Sequence, residues 1–176
     1  MYMIIRDAKP TDLTDLTRIY NQSVLTSAAT FDIQSQTVEQ RKEWFCHYGG
    51  MHPLIVAESD GRVLGYCSLS RYRPKAAYDR TVESSVYVDS AFQGQGIGKA
   101  LMREALTRAS QLGHHVVIAG ITEGNAASER LHTSLGFERV GKLREVGRKF
   151  GLWHDVHFYQ LVLPESGTGE PGQAEA

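Results

Sequence analysis

The apolar positions of this chain change their period several times, and each change marks an element. Met3 to Arg6 is a short apolar run that reads as a strand. From Pro10 to about Leu25, the residues Leu13, Leu16, Ile19 and Tyr20 recur every three or four positions, which predicts an amphipathic helix that Thr11 or Asp12 can cap. The period is lost between Ser27 and Gln36, a loop whose one aromatic is Phe31. Thr37 then opens a second helix with Val38, Arg41, Trp44 and Phe45 at helical spacing, and Pro53 closes that region. Leu54–Glu58 and Val63–Leu69, separated by Ser-Asp-Gly-Arg, predict an antiparallel hairpin.

The stretch Arg71–Arg80 is polar, basic and aromatic and is interrupted by Pro74, so it is a loop. Extended character returns from Thr81 to Val88. After a glycine-rich turn, Lys99–Leu112 is a helix that ends at Gly113, with Ile97, Leu101, Ala105, Ala109 and Leu112 on one face. Val116–Ile121 is apolar without alternation, as expected of a strand covered on both faces. A helix from about Ala126 to Ser134 closes at Gly136, and Phe137–Arg144 and Val156–Leu163 read as the last two strands. Residues 164–176 carry no large apolar side chain, which predicts a disordered tail. The whole is an α/β mixture with a hairpin-rich first half, expected to form one domain over residues 1–163.

Composition narrows the function classes. A chain of 176 residues supports one core that buries about 70% of its unfolded surface. Lys and Arg number 19 against 20 Asp and Glu, so nothing favours a polyanion, and nucleic acid is not an expected partner. No apolar run approaches about 18 residues, and the first residues lack the basic and apolar regions of a leader. A cytoplasmic protein without membrane contact is therefore expected. Cys46 and Cys67 lack metal-type spacing and read as buried, reduced thiols. His154, Asp155 and His157 offer no third ligand on one strand face, so no metal is expected. His114 and His115, at a helix end, read as partners of its last carbonyls and of solvent.

The chemistry centres on Gln93-Gly94-Gln95-Gly96-Ile97-Gly98-Lys99, which follows a strand and opens a helix. Glycines at alternate positions allow close backbone approach or positive φ, and the first amides of the helix lack intrahelical partners. Together with the helix dipole they suit a diphosphate. Two commoner glycine motifs fail on counting. A P-loop would need glycine at Gln93 and Ser or Thr at Ala100, and a dinucleotide fingerprint begun at Gly94 would need its third glycine at Lys99. A turn that only joins strand to helix is the alternative.

The order Gln-x-x-Gly-x-Gly after Val86-Tyr87-Val88 resembles the acetyl-coenzyme A signature of the GCN5-related N-acetyltransferase (GNAT) family, and the element order agrees from Met3 to Leu163. Three further segments, Thr81–Val88, Gly120–Ser128 with Leu131–Phe137, and Gly147–Val156, are similar to the phosphinothricin and methionine sulfoximine acetyltransferases. The resemblance implies an α/β (α+β) GNAT fold with a mixed, mostly antiparallel sheet of about seven strands flanked by about four helices. It also implies acetyl-CoA as co-substrate, a small amino-acid-like amine as acceptor, and a homodimer.

Residue roles follow from the same resemblance. Val86, Tyr87, Val88 and Gln93 through Lys99 would bind the cofactor, joined by Asn125 and Ser128 beside the pantetheine arm, although Gly124-Asn125 equally fits a plain turn. Glu83 is the expected base, directly or through water, against a solvated strand carboxylate, and the Val88 amide is the expected oxyanion donor. His132 stands where many relatives carry a tyrosine that protonates the thiolate, so it is a general acid or a packing residue. An acidic substrate needs cations, for which Arg73 and Lys75 are the candidates, with Phe31, Lys149, Phe150 and Trp153 completing the pocket, the last three from either subunit. Other readings are an acetyltransferase for a protein N-terminus, polyamine or antibiotic amine, and a non-catalytic coenzyme A-binding regulator. The four basic residues Arg71, Arg73, Lys75 and Arg80 against Asp79 alone disfavour a cationic substrate.

Overall fold

The computed structural model describes residues 2–164, so the tail expected over 164–176 lies, from residue 165 on, outside the described residues. Seven strands form one sheet: β1 (Ile4–Asp7), β2 (Leu54–Ser59), β3 (Arg62–Arg71), β4 (Thr81–Val88), β5 (Val116–Thr122), β6 (Glu138–Lys149) and β7 (Leu152–Val162). Their order is β1-β2-β3-β4-β5-β7-β6, and every pairing is antiparallel except β4 with β5. Four α-helices are described: α1 (Leu13–Thr26), α2 (Val38–Phe45), α3 (Ile97–Gln111) and α4 (Ala126–Thr133).

The helices begin where the sequence expects. Thr37 and Gln40 close a capping box on α2, the hydroxyl accepting the Gln40 N–H at 3.2 Å and the Gln40 side chain accepting the Thr37 N–H at 2.9 Å. Ahead of α1, Pro10–Asp12 is a turn of 3₁₀-helix. There the Asp12 carboxylate accepts the Lys9 N–H at 2.7 Å and a two-pronged bond from Arg6 at 2.7 and 2.9 Å.

Two apolar layers hold the sheet. Ile97, Leu101, Ala105 and Ala109 of α3 pack on Ile55, Leu64, Cys67, Leu69, Val82 and Val117. Leu16 and Ile19 of α1 pack on the other face, on Leu54, Val56, Val63 and Tyr66. A bulge makes this two-sided arrangement possible. Ala57 pairs with Gly65 and Glu58 with Val63, leaving Leu64 as an extra residue that resets which side chains face which layer.

Four expectations need correction. The last two strands are much longer than Phe137–Arg144 and Val156–Leu163, because Gly147–Trp153 folds as the end of a hairpin rather than as a loop. Lys149 pairs with Leu152 across a two-residue turn in which Phe150 (φ 52°) and Gly151 (φ 76°) are both left-handed, the geometry whose twist matches paired strands. β5 is fully covered on one face, where Val117, Ala119 and Ile121 are buried, and unevenly on the other, where Thr122 is buried, Val116 and Ile118 are half-buried and Gly120 is exposed. Cys46 is exposed, while Cys67 is buried and its thiol is pushed up to about 12 by burial. His114 is buried, with its Nε2 2.7 Å from the Met51 carbonyl.

At Gly65 the backbones of β3 and β4 come close together. A methyl there would stand 2.8 Å from the Tyr87 carbonyl oxygen and 3.2 Å from the Val88 Cα, both rigid strand backbone. Gly65→Ala should therefore lower stability by about 1–3 kcal/mol, read as a lower denaturation midpoint at unchanged slope; an unchanged midpoint would show that the strands can separate at no cost.

Candidate active site

β4 and β5 pair only at Thr81–Val116, Val82–Val117 and Glu83–Ile118, yet β4 continues to Val88 and β5 to Thr122. Beyond Glu83 the two strands diverge. β4 stays paired to β3 along its whole length, from Arg71–Val82 to Gly65–Val88, while β5 stays paired to β7 from Val116–Val162 to Thr122–Val156. The result is a V-shaped opening with Glu83 at its apex.

One side of the opening is lined by unpaired backbone. Asp89 donates its N–H to the Leu64 carbonyl at 2.8 Å, so the alternation of an extended chain turns the N–H groups of Val88 and Val86 the other way, toward β5 and into the opening. The same alternation turns the Tyr87 N–H onto β3, so Tyr87 does not join them. Its ring instead packs 5.4 Å from Tyr66 and 5.3 Å from Tyr20, on the face away from α3.

The glycine loop lies at the end of that edge. Gly94 (φ 76°) and Gly96 (φ 83°) are left-handed, and Gly96 caps α3 without any side-chain acceptor. The first intrahelical bond runs from the Ala100 N–H to the Gly96 carbonyl, so the amides of Ile97, Gly98 and Lys99 precede the ladder. A methyl at Gly98 would only touch Leu131 and Val88 at 3.6 Å, so the chain's own packing does not demand glycine there. The Gln93 side chain donates to the Val88 carbonyl at 3.4 Å.

A buried carboxylate holds this loop to the sheet. Asp89, 1% exposed, accepts from Arg18 at 2.7 Å, Arg62 at 3.0 Å, Gln22 at 3.2 Å and the Ala91 N–H at 3.1 Å. Burial would raise its pKa, but these donors outweigh burial and bring it down to about 2. The sequence reading missed Asp89, whose only local signal is a capping residue two positions before Ala91.

Glu83 is half-buried and, among the described residues, accepts no hydrogen bond; burial pushes its carboxyl above the usual range. It leans over Gly120, where an added methyl would lie 3.7 Å from Oε1. Along β3 and β4 the pairs Ser70–Glu83, Ser68–Ser85 and Tyr66–Tyr87 form a column on the face that α1 and α2 cover. A pocket of about 540 Å³ opens over this column, lined by Ser68, Ser70 and Ser85 below and by Tyr20, Arg41 and Trp44 above.

Other predicted residues fall in different places. Asn125, just past the end of β5, caps α4 by accepting the Ser128 N–H at 3.2 Å. His132 is buried, its Nδ1 lies 2.8 Å from the Ser128 carbonyl, and its ring meets Phe137 edge-on at 5.0 Å. Since a carbonyl only accepts, Nδ1 carries the proton, and burial lowers the pKa and keeps the ring neutral. A neutral ring so bonded suits packing against Phe137, one of the two roles the sequence allowed it.

Lys149 is buried and donates to the Thr30 carbonyl at 2.8 Å, and a methyl at Gly147 would run into the Phe31 ring. Lys149 and Phe31 thus tie the 27–36 loop to the β6–β7 hairpin and do not line the pocket. Phe150 and Trp153 are more than half exposed at the hairpin tip, so within one chain they do not reach it either. Arg73 and Lys75 stand in the loop after β3, with the Arg73 guanidinium 5.1 Å from the Tyr72 ring. Arg41, which does line the pocket, was read only as a helix position.

His154, Asp155 and His157 each bond elsewhere, to the Lys149 carbonyl, to Lys142 and the Glu145 N–H, and to Glu129. Among the described residues no helix is long and apolar enough to cross a membrane.

A strand edge, a glycine-led helix start and a carboxylate at the apex of parted strands make a site suited to an extended, phosphate-bearing ligand. The chain belongs to the acetyltransferase (GNAT) family, whose model matches residues 15–137. It is 41% identical over 164 residues to the L-methionine sulfoximine/L-methionine sulfone acetyltransferase of Salmonella typhimurium, covering 93% of this chain and 96% of that one. It is 39% identical over 163 residues to the phosphinothricin N-acetyltransferase of Streptomyces coelicolor, covering 90% and 95%. The crystal structure of a phosphinothricin acetyltransferase from Sinorhizobium meliloti in complex with acetyl-CoA is similar with a TM-score of 0.90 at 36% identity, covering 98% and 95%.

Because the folded pKa of Asp89 lies below its usual value of 3.8, its contribution is complete above about pH 5 and is lost as pH falls toward 2. Asp89→Asn should cost roughly 2 kcal/mol at neutral pH, and the gap to the parent protein should close in acid. Denaturant titrations at several pH values read it, and a gap independent of pH would remove the ionic clamp.

Proposed function

We propose that this protein transfers the acetyl group of acetyl-CoA to the α-amine of a small amino-acid-like substrate of the methionine sulfoximine, methionine sulfone or phosphinothricin type. The observation that carries this reading is Glu83 at the apex of the opening, with a free backbone edge leading to a helix start on one side and a polar pocket on the other.

In this reading the amides of Ile97, Gly98 and Lys99, with the loop from Gln93 to Gly96, hold the pyrophosphate. The pantetheine arm lies along the Val86 and Val88 edge as an added strand, with the Asn125 side-chain amide and Ser128 at its other flank. The Val88 N–H meets the thioester carbonyl oxygen and takes the charge that develops there. Glu83, whose raised pKa makes it a stronger base than a free carboxylate, accepts a proton from the amine directly or through water. The amine nitrogen forms the new C–N bond, the C–S bond breaks, and the departing thiolate takes a proton from solvent. No covalent enzyme intermediate is needed.

The α-carboxylate, separated from the amine by one carbon, lies near Glu83. Arg73 and Lys75 belong to the loop that starts two residues past the Ser70–Glu83 pair, so they are its cations in this reading. Such an enzyme works where acetyl-CoA is made and thiols stay reduced, in the cytoplasm.

Val140, Leu143, Val146 and Leu152 are each about half exposed along the β6–β7 hairpin, and β6 is a sheet edge. We propose that a second copy covers this surface, which brings Phe150 and Trp153 toward the partner. Sedimentation velocity should show a dimer that Val146→Asp dissociates; a monomer at micromolar concentration would refute it.

The test of function is a thiol-release assay over an amino-acid panel that includes phosphinothricin, methionine sulfoximine and methionine sulfone. Turnover of these with polyamines silent is the expected result; acetyl-CoA binding without any turnover would point to a regulator. Glu83→Gln should depress the rate about 10²-fold or more below the amine's pKa and less above it. An unchanged pH profile would take Glu83 out of the mechanism.

A further inference from the structure

A guanidinium is enclosed above β3 and β4 with no acid to neutralise it. Arg41 of α2 is 3% exposed and enters none of the ion pairs among the described residues. A guanidinium never loses its charge in a protein, and a buried cation without a counter-charge is costly. Its Cζ lies 3.4 Å from the centre of the Trp44 ring and 4.4 Å from that of Tyr20, so aromatic faces cover the flat of the group and leave its donors at the rim.

Two hydrogens at that rim have no acceptor on the pocket side. Nη2 donates to the Tyr66 hydroxyl at 3.1 Å, and Nε is sealed off without a partner. Nη1 also lacks a partner among the described residues but, unlike Nε, is not sealed, so it opens onto the pocket of about 540 Å³ that Arg41 and Tyr66 line. The Tyr66 hydroxyl, used by Nη2 as an acceptor, keeps its own proton to donate, since burial holds its pKa well above the usual phenol value. An N–H and an O–H thus adjoin one uncompensated positive charge.

The two acids on the pocket wall do not supply the counter-charge. Asp32 accepts from the Tyr20 hydroxyl at 2.6 Å and the Gln36 amide at 2.8 Å, and Glu43 forms no ion pair with Arg41. Their presence does set the charge of an occupant. One unpaired cation with two carboxylates nearby accepts a monoanion and repels a dianion.

Position separates this occupant from the acetyl acceptor. The pocket wall does not include Glu83. Tyr66 and Ser70 are four residues apart on β3, roughly 13 Å along the strand, with Arg41 bonded above the first and Glu83 paired to the second. A small amino acid whose amine lies at Glu83 is too short to reach Arg41.

We propose that this pocket is a second binding site, for a small monocarboxylate distinct from the acceptor, held by Nη1 of Arg41 and the hydroxyl of Tyr66. A carboxylate offers two oxygens to the two donors, and its single charge is the one the chain lacks. Trp44 and Tyr20 fix the plane of the guanidinium, so the donors are in place before the ligand arrives. The site is independent of which amine is acetylated at Glu83.

Trp44, stacked on the guanidinium, reports occupancy, and Trp153→Phe leaves it as the one tryptophan of the chain. In that background sodium acetate at constant ionic strength should change the fluorescence saturably, whereas acetamide, its neutral analogue, should not. Arg41→Gln should weaken acetate binding about 10-fold or more, and Tyr66→Phe, which keeps the ring and the reporter, about 3- to 10-fold. Inorganic phosphate in mildly alkaline buffer should bind more weakly than acetate. Arg73→Ala, which removes a cation assigned to the acceptor, should leave acetate binding as it is. A response that does not saturate, that acetamide shares or that survives Tyr66→Phe unchanged overturns the proposal, and this holds even if Arg41→Gln does not fold. Tighter binding of phosphate overturns the choice of a monocarboxylate, and loss of the response in Arg73→Ala overturns the separation from the acceptor. Failure to acetylate any amino acid sinks the proposed function and leaves this binding test to decide on its own.

Discussion

β4 and β5 separate after Glu83 because each is bound along its full length to another neighbour, β3 on one side and β7 on the other. Two parallel strands that share three pairs cannot follow both partners once the twist of the sheet turns them apart. The cost is a row of unpaired backbone groups on Val86 and Val88, which any folded chain must satisfy by some means. Any extended backbone laid along the edge would satisfy them as a missing strand would. The carboxylate at the apex and the helix start at the far end are thereby fixed relative to the same edge.

The position of that edge depends on Asp89. The residue ends β4, and its carboxylate draws donors from α1, from β3 and from its own turn. One buried charge therefore fixes the distance between the free Val88 edge and the glycine loop that begins at Gln93. Gly65, opposite Val88, works in the same sense by letting the β3 backbone approach where any side chain would intrude. Rigidity here is what a transfer reaction needs, since the donor must already point to where charge will develop.

The 27–36 loop is held by Lys149 to Thr30, by Phe31 against Gly147, and by the Asn21 side-chain bonds to Gln36 at 2.8 and 2.9 Å. These ties join α1 to the β6–β7 hairpin through the loop, which itself adds Asp32 and Gln36 to the pocket lining supplied by α1, α2 and the two central strands.

Local signals were enough for much of this. The periods of α1 and α3, the glycine loop before α3, the hairpin of β2 and β3 and the strand carrying Glu83 and Val88 depend on neighbours in sequence, and the structure forms them where those signals lie. The opening at Glu83 was not legible, because it arises from which strands each edge pairs with. Nor were Asp89 and Arg41, ordinary residues in their own segments that acquire their roles from side chains 71 residues away in one case and 25 in the other. For His132, Lys149 and Phe31, read as site residues, the fold adds contacts to the Ser128 carbonyl, the Thr30 carbonyl and Gly147. What sequence alone determined was the element order and the place of the glycine loop at the start of α3. Which side chains face one another across the sheet, and therefore where a substrate fits, was decided only by long-range pairing, which leaves no period in the chain.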